Sequence, residues 1–255
     1  MRVNWVGMYM LVWREVERFF RVAVQALLAP WISALLYIFV FGFIVGGRID
    51  TIAGAPYIDF VLPGILMMSV ISSAFSQTSF SLYIQRFTRS IEEILITPFS
   101  HVEMIIGCVV SGIARGVLVG LGVFLIAVFF NAANIAHFGL FIFYLLSVSV
   151  VFSLLGLLVS VWADNFEHLN IWTVFVITPL SFLGGVFNSI TMLPPFLQTV
   201  VRLNPFFYFI DGVRYSMIGV HEASALLGFG IIFSLIIFLS FAVYILFRKG
   251  YGLRQ

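Results

Sequence analysis

The sequence predicts an all-α membrane protein with six transmembrane helices, an interfacial amphipathic helix before the first of them, and a re-entrant helical hairpin before the last. Of its 255 residues, 62% are hydrophobic and only 9% are charged, against roughly 45–50% and 25% in a soluble domain. Long apolar runs follow one another with no polar block between them, and each is close to the roughly 20 residues that cross a bilayer as a helix. We therefore expect residues 1–255 to form one membrane domain.

Six apolar runs are the candidate membrane spans. They cover Ala26–Val45, Phe60–Tyr83, Met104–Phe130, Phe138–Trp162, Ile171–Phe187 and Ala225–Phe247. The third exceeds the length that a span needs and is expected to tilt or to extend into the interface. The fifth is short and contains Thr178-Pro179, so we expect it to bend or stop early. The chain then divides into an interfacial helix (1–25), spans one to five (26–187), a re-entrant outer segment (188–224), span six (225–247) and a cytoplasmic tail (248–255).

Lysine and arginine near the ends of the spans predict the orientation, because basic residues are retained on the cytoplasmic side. An even number of spans puts both termini on one side of the membrane. The basic residues on that side are Arg2, Arg14, Arg18, Arg21, Arg86, Arg89, Arg248, Lys249 and Arg254. Those on the other side are Arg48, Arg202 and Arg214. The imbalance predicts that both termini are cytoplasmic.

The segment before the first span has the pattern of an amphipathic helix. Its apolar residues at helical spacing are Trp5, Tyr9, Val12, Val16 and Phe19, and its other face carries Arg14, Glu17, Arg18, Arg21 and Gln25. Such a helix is expected to lie flat in the cytoplasmic interface. A polar leader without fixed structure is the alternative.

The connection between the second and third spans contains two helix-start signals. Ser90 and Glu93 form a predicted capping box, in which each side chain bonds a backbone N–H at the start of a helix. Pro98 ends that helix, so a short cytoplasmic helix is expected over Ile91–Ile96. Its apolar side carries Ile91, Ile94 and Leu95, and another side carries Glu92 and Glu93. A second box, Ser100 with Glu103, is expected to open the third span.

Residues 188–224 are too many for a simple loop and too apolar for one in water. Pro194, Pro195 and Pro205 interrupt any single span, and Asn204 before Pro205 is a favourable helix start. We expect two short helices, Pro195–Leu203 and Phe206–Val220, that enter from the outer face and return to it. Asp211 and Arg214 lie one helical turn apart within this segment and are expected to form a local ion pair.

Several kinds of chemistry are absent from the sequence. Lys249 is the only lysine, and no glycine-rich phosphate loop precedes it, so this chain is not expected to hydrolyse ATP itself. The four histidines are far apart in the sequence and Cys108 is the only cysteine, which argues against a metal site or a disulfide framework. The net charge of +2 is spread along the chain and does not suggest a nucleic-acid partner. No catalytic residue is predicted.

Arg115 is the one clear charge inside a predicted span. Gly112, Gly116 and Gly120 flank it at a spacing of four, which favours close approach of another helix. An ionisable residue at this depth is a candidate functional group. Two interpretations remain open: Arg115 faces a transport pathway or a polar headgroup, or it pairs with a carboxylate or backbone carbonyl inside the bundle.

Several of these segments together resemble the ABC-2 type of ABC-transporter permease, in particular the YadH-like branch of bacterial inner-membrane permeases. The resemblance runs over nearly the whole chain and rests on residues 91–98, 179–187, 193–196, 203–206 and 211–215. It implies a half-transporter of the inner membrane that forms a homodimer and binds two copies of a separate ATPase, which holds the ATP and Mg²⁺.

The resemblance also implies roles for residues on the cytoplasmic side. The helix formed by Ile91, Glu92, Glu93, Ile94, Leu95 and Ile96 is expected to be the coupling helix that docks on the ATPase. The second cytoplasmic loop, with Asp164, Asn165, Phe166 and Glu167, is expected to add a smaller contact. Export of a hydrophobic, drug-like, lipid-linked or polysaccharide cargo is implied by the family.

Two other functions are compatible with six apolar spans. One is a secondary transporter driven by protons or sodium, a class that usually carries ionisable residues near the midplane, where this chain offers Arg115. The other is a membrane scaffold subunit that transports nothing.

Overall fold

The computed structural model describes residues 5–48, 51–96, 99–130 and 134–252, except for the side chains of Phe43, Glu93, Ile94 and Leu95. Within these ranges the chain is almost entirely helical. The helices are α1 (Trp5–Arg21), α2 (Ala23–Phe39), α3 (Tyr57–Phe87), α4 (Ile91–Ile96), α5 (His101–Phe129), α6 (Phe138–Trp162), α7 (Phe166–Ile171), α8 (Thr178–Leu183), α9 (Pro195–Leu203), α10 (Pro205–Ile218) and α11 (Ala225–Lys249). The basic residues Arg2 and Arg254, counted above for orientation, lie outside the described residues.

Six helical segments within the described ranges are long and apolar enough to cross a membrane, as the sequence predicts. They are Ala23–Gly42, Tyr57–Phe87, His101–Phe129, Phe138–Trp162, Phe166–Leu183 and Ala225–Lys249. Helix α3 is the central one, since most of its length is buried and it packs against α5, α6 and α10. The six predicted spans are thus confirmed, with shifts at their ends.

The largest shift is in the fifth span, which begins at Phe166 and ends at Leu183 instead of covering Ile171–Phe187. Gly184 follows the last helical residue, and Gly185 has a φ of +85°, a conformation that glycine adopts without a steric penalty. The predicted irregularity near Thr178-Pro179 is present as a π-helical turn over Trp172–Ile177. Proline cannot donate the usual helical hydrogen bond, which explains a widened turn just before it.

The N-terminal segment also differs from its predicted boundaries. Helix α1 ends at Arg21, and Val22 has a non-helical φ of −114° before α2 begins at Ala23. The first span therefore starts three residues before the predicted Ala26, and Gln25 belongs to it. The placement of α1 in the interface stays a prediction.

A small hairpin that the sequence did not predict connects the first two spans. Strand β1 (Thr51–Ile52) pairs antiparallel with β2 (Ala55–Pro56). Ala53 and Gly54 between them have φ values of +52° and +82°, as a two-residue hairpin turn requires. The hairpin lies at the end of the bundle that also holds α10, since Pro56 and Met217 border the same pocket.

The glycines of α5 permit the close helix packing that their spacing predicts. A Cβ added at Gly116 would lie 2.7 Å from the Ser149 hydroxyl of α6, and one added at Gly120 would lie 2.8 Å from the Val70 side chain of α3. Both distances are far inside van der Waals contact. Helices α3, α5 and α6 therefore form a compact core that fixes the positions of the loops at both ends.

Candidate functional site at the α4 end of the bundle

Helix α4 has the bounds that the sequence predicts, Ile91–Ile96. The Ile91 side chain is only 2% exposed, whereas Glu92 is exposed and Ile96 is 85% exposed. The side chains of Glu93, Ile94 and Leu95, and the residues Thr97 and Pro98, lie outside the described part of the chain. Helix α4 is thus anchored at its first residue and presents Glu92 and Ile96 outward.

A tight turn leads from α3 into α4. Arg89 has a φ of +58°, and its carbonyl accepts a hydrogen bond of 3.0 Å from the Glu92 N–H. The Ser90 hydroxyl lies 3.0 Å from that of Thr88. The predicted capping box of Ser90 involves Glu93, whose side chain is outside the described atoms. The second predicted box is confirmed: the Ser100 N–H donates to Glu103 Oε2 at 2.7 Å, and the Glu103 N–H donates to Ser100 Oγ at 3.2 Å.

The second predicted contact segment lies against the same end of α3. The Tyr83 hydroxyl donates a hydrogen bond of 3.1 Å to the Asp164 carbonyl. The Phe166 ring packs edge-on against Tyr83, with centroids 4.6 Å apart, and 5.8 Å from Phe87. Asn165 accepts a bond of 2.9 Å from the His168 N–H and so caps α7. The irregular connection is therefore shorter than predicted, because Phe166 and Glu167 already belong to α7.

Arg86 connects α3 to the end of α6. Its guanidinium Nη1 donates hydrogen bonds to the carbonyls of Ser160 and Ala163, the second at 3.3 Å, and the residue is only 7% exposed. The last turn of a helix leaves its carbonyls without helical partners, so Arg86 satisfies acceptors that would otherwise be buried and unpaired. The sequence offered Arg86 only as one of several cytoplasmic charges.

A second polar cluster attaches α1 to α3. Glu15 is 1% exposed and accepts hydrogen bonds from the Ser81 hydroxyl at 2.7 Å and from Gln85 Nε2 at 3.1 Å. Arg18 donates to the same Glu15 carboxylate. The buried stripe of α1 is consequently Leu11, Glu15 and Phe19, whereas Trp5 and Tyr9 of the predicted apolar face are 69% and 60% exposed.

We expect Glu15→Leu to detach α1 from the bundle, because it removes hydrogen bonds to a buried charge worth about 1.5–3 kcal/mol each. Leu11 packs on Gly107, the residue before Cys108. Loss of this cover should speed alkylation of Cys108, now 6% exposed, by a membrane-permeant maleimide roughly tenfold. Glu17→Leu removes an exposed glutamate of the same helix and should leave the rate unchanged. Equal rates in the two variants would contradict the attachment of α1 through Glu15.

The α4 end of the bundle also holds the C-terminal turn. A Cβ at Gly252 would lie 2.6 Å from the carbonyl of Val161, near the end of α6. Helix α1 contacts α3 at the same end through Glu15. The described basic residues that were predicted to share one side of the membrane are therefore found on elements that meet here, whereas Arg214 lies at the opposite end beside Gly185.

At the opposite end, the segment before the last span forms two short helices: α9 has the predicted bounds, and α10 covers Pro205–Ile218 instead of Phe206–Val220 because Gly219 ends it in a left-handed conformation. Pro194 precedes α9 and Pro195 is its first residue. Asn204 caps α10 by accepting a bond of 3.1 Å from the Phe206 N–H, and Pro205 occupies the first helical position. The Asn204 amide also donates to the Leu180 carbonyl at 2.7 Å. The re-entrant placement of α9 and α10 in a bilayer stays a prediction.

A buried charge cluster holds this segment in place. The Arg214 guanidinium lies 4.0 Å from Asp211, as the predicted ion pair requires, and 3.8 Å from Glu222. It also donates to the carbonyls of Phe60 and Gly185. Asp211 in turn accepts two backbone N–H bonds of 2.9 Å, from Glu222 and Ala223. No local sequence pattern predicts that Glu222 joins this charge cluster.

Arg115 has no carboxylate within ion-pairing distance among the described residues. Its Nη1 donates to Gln77 Oε1 at 3.3 Å, and its Nη2 donates to the Ala26 carbonyl at 3.5 Å. It also borders a cavity between α2, α3 and α5. Arg115 thus reaches a backbone carbonyl, as the second interpretation requires, and a transport pathway or headgroup at the cavity stays a prediction.

A model of the ABC-2 type transporter family matches residues 7–218, which run from α1 to the end of α10. The chain belongs to the ABC-2 type transporter family. Over its full length and theirs, it is 38% identical to an inner membrane transport permease, YadH, of Escherichia coli K12. It is also 25% identical to Nodulation protein J of Bradyrhizobium diazoefficiens, over 96% of this chain and 93% of the other. This ABC-2 protein is therefore a transport permease subunit of the inner membrane.

In this permease, both predicted contact segments meet the same helix end. Helix α4 follows α3 after a three-residue turn, the α6–α7 connection bonds Tyr83 and Arg86 of α3, and the first residue of α7 packs on Phe87. The sequence did not predict this arrangement, because Asp164 and Tyr83 are 81 residues apart in the chain. Among the described residues, no cluster of three or more His, Cys, Asp or Glu side chains is arranged to hold a metal ion.

Proposed function

We propose that this chain is the permease subunit of an exporter driven by a separate ATPase that binds α4. The observation that supports the proposal is that α4 and the α6–α7 connection share one support, the last two turns of α3. A partner that binds both segments would act on α3, the most buried of the six spans. Since this chain carries no phosphate-binding loop, the energy of ATP has to reach it through such a contact.

The outward surface of α4 has the properties of a docking element. Ile96 is 85% exposed and Glu92 is exposed, whereas Ile91 is buried against the bundle. An apolar side chain and a carboxylate on a short helix fit a cleft that offers a hydrophobic floor and a basic rim. Asp164 and Asn165, on the neighbouring connection, are exposed as well and extend the same surface.

Movement of α4 would be transmitted to the spans by rigid contacts. The turn between α3 and α4 is short, and Ile91 is packed into the core. Arg86 and Tyr83 tie the end of α3 to the carbonyls at the end of α6. A displacement of α4 would therefore move α3 and α6 together. The ATP-bound partner would favour the arrangement of the spans for which it has the higher affinity.

The proposal includes an assembly and an orientation. Two copies of the chain associate with two ATPase subunits, as in the permeases that the sequence resembles. The α4 end faces the cytoplasm, because most of the described basic residues lie at this end and basic residues are retained on the cytoplasmic side. Cargo then leaves toward the side of α9 and α10. Hydrophobic, drug-like, lipid-linked and polysaccharide molecules are the cargo classes that the resemblance implies.

The test reverses the charge at Glu92 and replaces the apolar side chain of Ile96 on the outward surface of α4. We expect Glu92→Arg combined with Ile96→Asp to reduce co-purification of the ATPase at least tenfold, because a like charge and a polar group replace both outward anchors. The tagged full chain is co-expressed with candidate ABC ATPases of the same cell, purified in mild detergent, and the retained ATPase is quantified. The amount of permease in the membrane should not change.

Glu17→Arg serves as the matched control, since it reverses an exposed glutamate at the same end of the molecule but on α1. It should retain the ATPase at the level of the unmodified chain. Unchanged co-purification of the α4 variant would refute docking through α4. Transport that continues without ATP and collapses with the ion gradient would refute ATP-driven export altogether.

A further inference from the structure

A cavity of about 280 Å³ lies between α2, α3 and α5, at mid-depth of the bundle. Its polar wall consists of Ser33, Ser69, Ser72, Ser73, Ser76 and Arg115. Arg115 is the middle residue of α5, and Ser72 is the middle residue of α3. Pockets that enclose a whole drug-sized ligand have volumes of roughly 300–1,000 Å³. This cavity is slightly smaller and suits a polar headgroup.

The positive charge of Arg115 is not neutralised by the described part of the protein. Its two hydrogen-bond partners, Gln77 and the Ala26 carbonyl, are neutral and lie at 3.3 and 3.5 Å, near the upper limit of a hydrogen bond. Its Nε has no partner among the described atoms. A charge at the middle of a span is costly unless it is paired or faces a polar cavity. An anion in the cavity would supply the missing charge.

The serines of the cavity also keep hydrogen-bonding capacity. Serine in a helix commonly donates its hydroxyl to a carbonyl one turn earlier, as Ser149 does to the Leu145 carbonyl at 2.7 Å. The hydroxyls of Ser33, Ser72 and Ser73 have no such partner within the described ranges. They are therefore available, together with the Arg115 guanidinium, to donate to the oxygens of a ligand.

The wall of the cavity is partly apolar, and α2 also carries exposed apolar side chains next to it. Ile65 and Met68 form part of its wall. On the exposed side of α2, Ile32 and Leu36 are 56% and 55% exposed. Leu36 lies one helical turn from Ser33 of the cavity wall, so a hydrocarbon chain on the exposed side of α2 would start beside the cavity. The surroundings thus match an amphipathic molecule and not a fully polar solute.

We propose that this cavity binds the anionic group, a phosphate or a carboxylate, of an amphipathic molecule that enters from the bilayer. The planar guanidinium of Arg115 can bond two oxygens of such a group at once, and the serine hydroxyls can bond a third. The inference rests on the proposed function only where it identifies the occupant as cargo. A resident phospholipid offers the same chemistry.

The experiment uses the purified full chain in mild detergent without any ATPase. Phosphatidylglycerol and phosphatidylcholine with identical acyl chains are added at equal concentrations, and retained lipids are counted by native mass spectrometry. The unmodified chain should retain phosphatidylglycerol in preference. Arg115→Met should weaken that binding at least tenfold, to the level of phosphatidylcholine, and Arg115→Lys should restore part of it. Arg202→Met removes an exposed arginine and should change nothing.

A second variant separates the site from any effect of Arg115 on folding. Ser72→Leu fills the cavity while leaving Arg115 in place, and it should abolish the preference for phosphatidylglycerol as well. Retention of the lipid by both Arg115→Met and Ser72→Leu, or no preference in the unmodified chain, would overturn the proposal. Displacement of the lipid by millimolar inorganic phosphate would show a site for free anions and overturn its amphipathic part.

A further measurement distinguishes cargo from resident lipid. The complex with the ATPase is reconstituted in phosphatidylcholine vesicles, and ATP hydrolysis is followed as phosphatidylglycerol is added. Stimulation that disappears in Arg115→Met identifies the occupant as cargo, and an unchanged rate identifies it as a resident lipid. If the chain binds phosphatidylglycerol through Arg115 but binds no ATPase, the coupling proposal is contradicted. The proposal for the Arg115 cavity is then still supported.

Discussion

Replacement of Arg214 by methionine is expected to prevent stable folding. The side chain is fully buried, and its guanidinium lies between the carboxylates of Asp211 and Glu222 and 3.7 Å from the centre of the Phe60 ring. Methionine fills much of the same volume but leaves two buried carboxylates without a cation. Removing one partner of a buried ion pair costs about 3–5 kcal/mol, a large part of the stability of most proteins.

The loss should be visible as heat sensitivity in detergent. We expect Arg214→Met to aggregate on size exclusion or to unfold at least 10 °C below the unmodified chain, by circular dichroism, since a few kcal/mol corresponds to a shift of that order. Arg202→Met is the matched control because Arg202 is exposed on neighbouring α9, and it should melt like the unmodified chain. Normal melting of Arg214→Met would show that the cluster is dispensable.

A double variant tests whether the uncompensated charge is the cause. Adding Glu222→Gln to Arg214→Met removes one of the two stranded carboxylates and keeps an acceptor for the Ser189 hydroxyl. The double variant should therefore be more stable than Arg214→Met alone, although Glu222→Gln by itself should destabilise the protein. Additive losses would instead point to lost packing around Phe60.

Sequence reasoning succeeded where a structural signal is local. The bounds of α4, the Ser100 box and the start of α10 at Asn204-Pro205 depend on residues within one turn of each other, and all three are present. The six spans follow from length and hydrophobicity alone. Such features are fixed by backbone hydrogen bonding and side-chain type, which can be read without knowing which helices are neighbours.

The features that were missed depend on contacts between distant segments. Glu15 was assigned to neither face of the N-terminal helix, and its burial follows only from its contacts with Ser81 and Gln85 on α3. Arg86 likewise finds its acceptors at the end of α6. Helical periodicity cannot distinguish a polar residue that faces water from one that faces a polar patch on another helix. The partners of the charged residues that position the candidate site are therefore not predicted by hydrophobic spacing.

Gly156→Ala is expected to separate α3 from α6 and destabilise the bundle. A Cβ at Gly156 would lie 2.6 Å from the Phe75 carbonyl and would overlap the Thr78 hydroxyl, both on α3. Backbone atoms of a buried helix cannot move aside as a flexible side chain can. Overpacking of this kind costs about 1–3 kcal/mol, and in a membrane the close contact of small residues is itself a main source of helix association.

Gly139→Ala, on the same helix, is the control, and it is expected to change the stability of the folded chain in the opposite direction. Gly139 has no atom within 4 Å of an added Cβ, so alanine adds no clash there and favours the helix by up to about 1 kcal/mol. Thermal unfolding in detergent should therefore rise slightly for Gly139→Ala and fall by several degrees for Gly156→Ala. Because α3 also carries α4 and borders the Arg115 cavity, Gly156→Ala should weaken both ATPase retention and phosphatidylglycerol binding. A destabilised Gly156→Ala chain with both activities intact would mean that α3 does not connect the two sites.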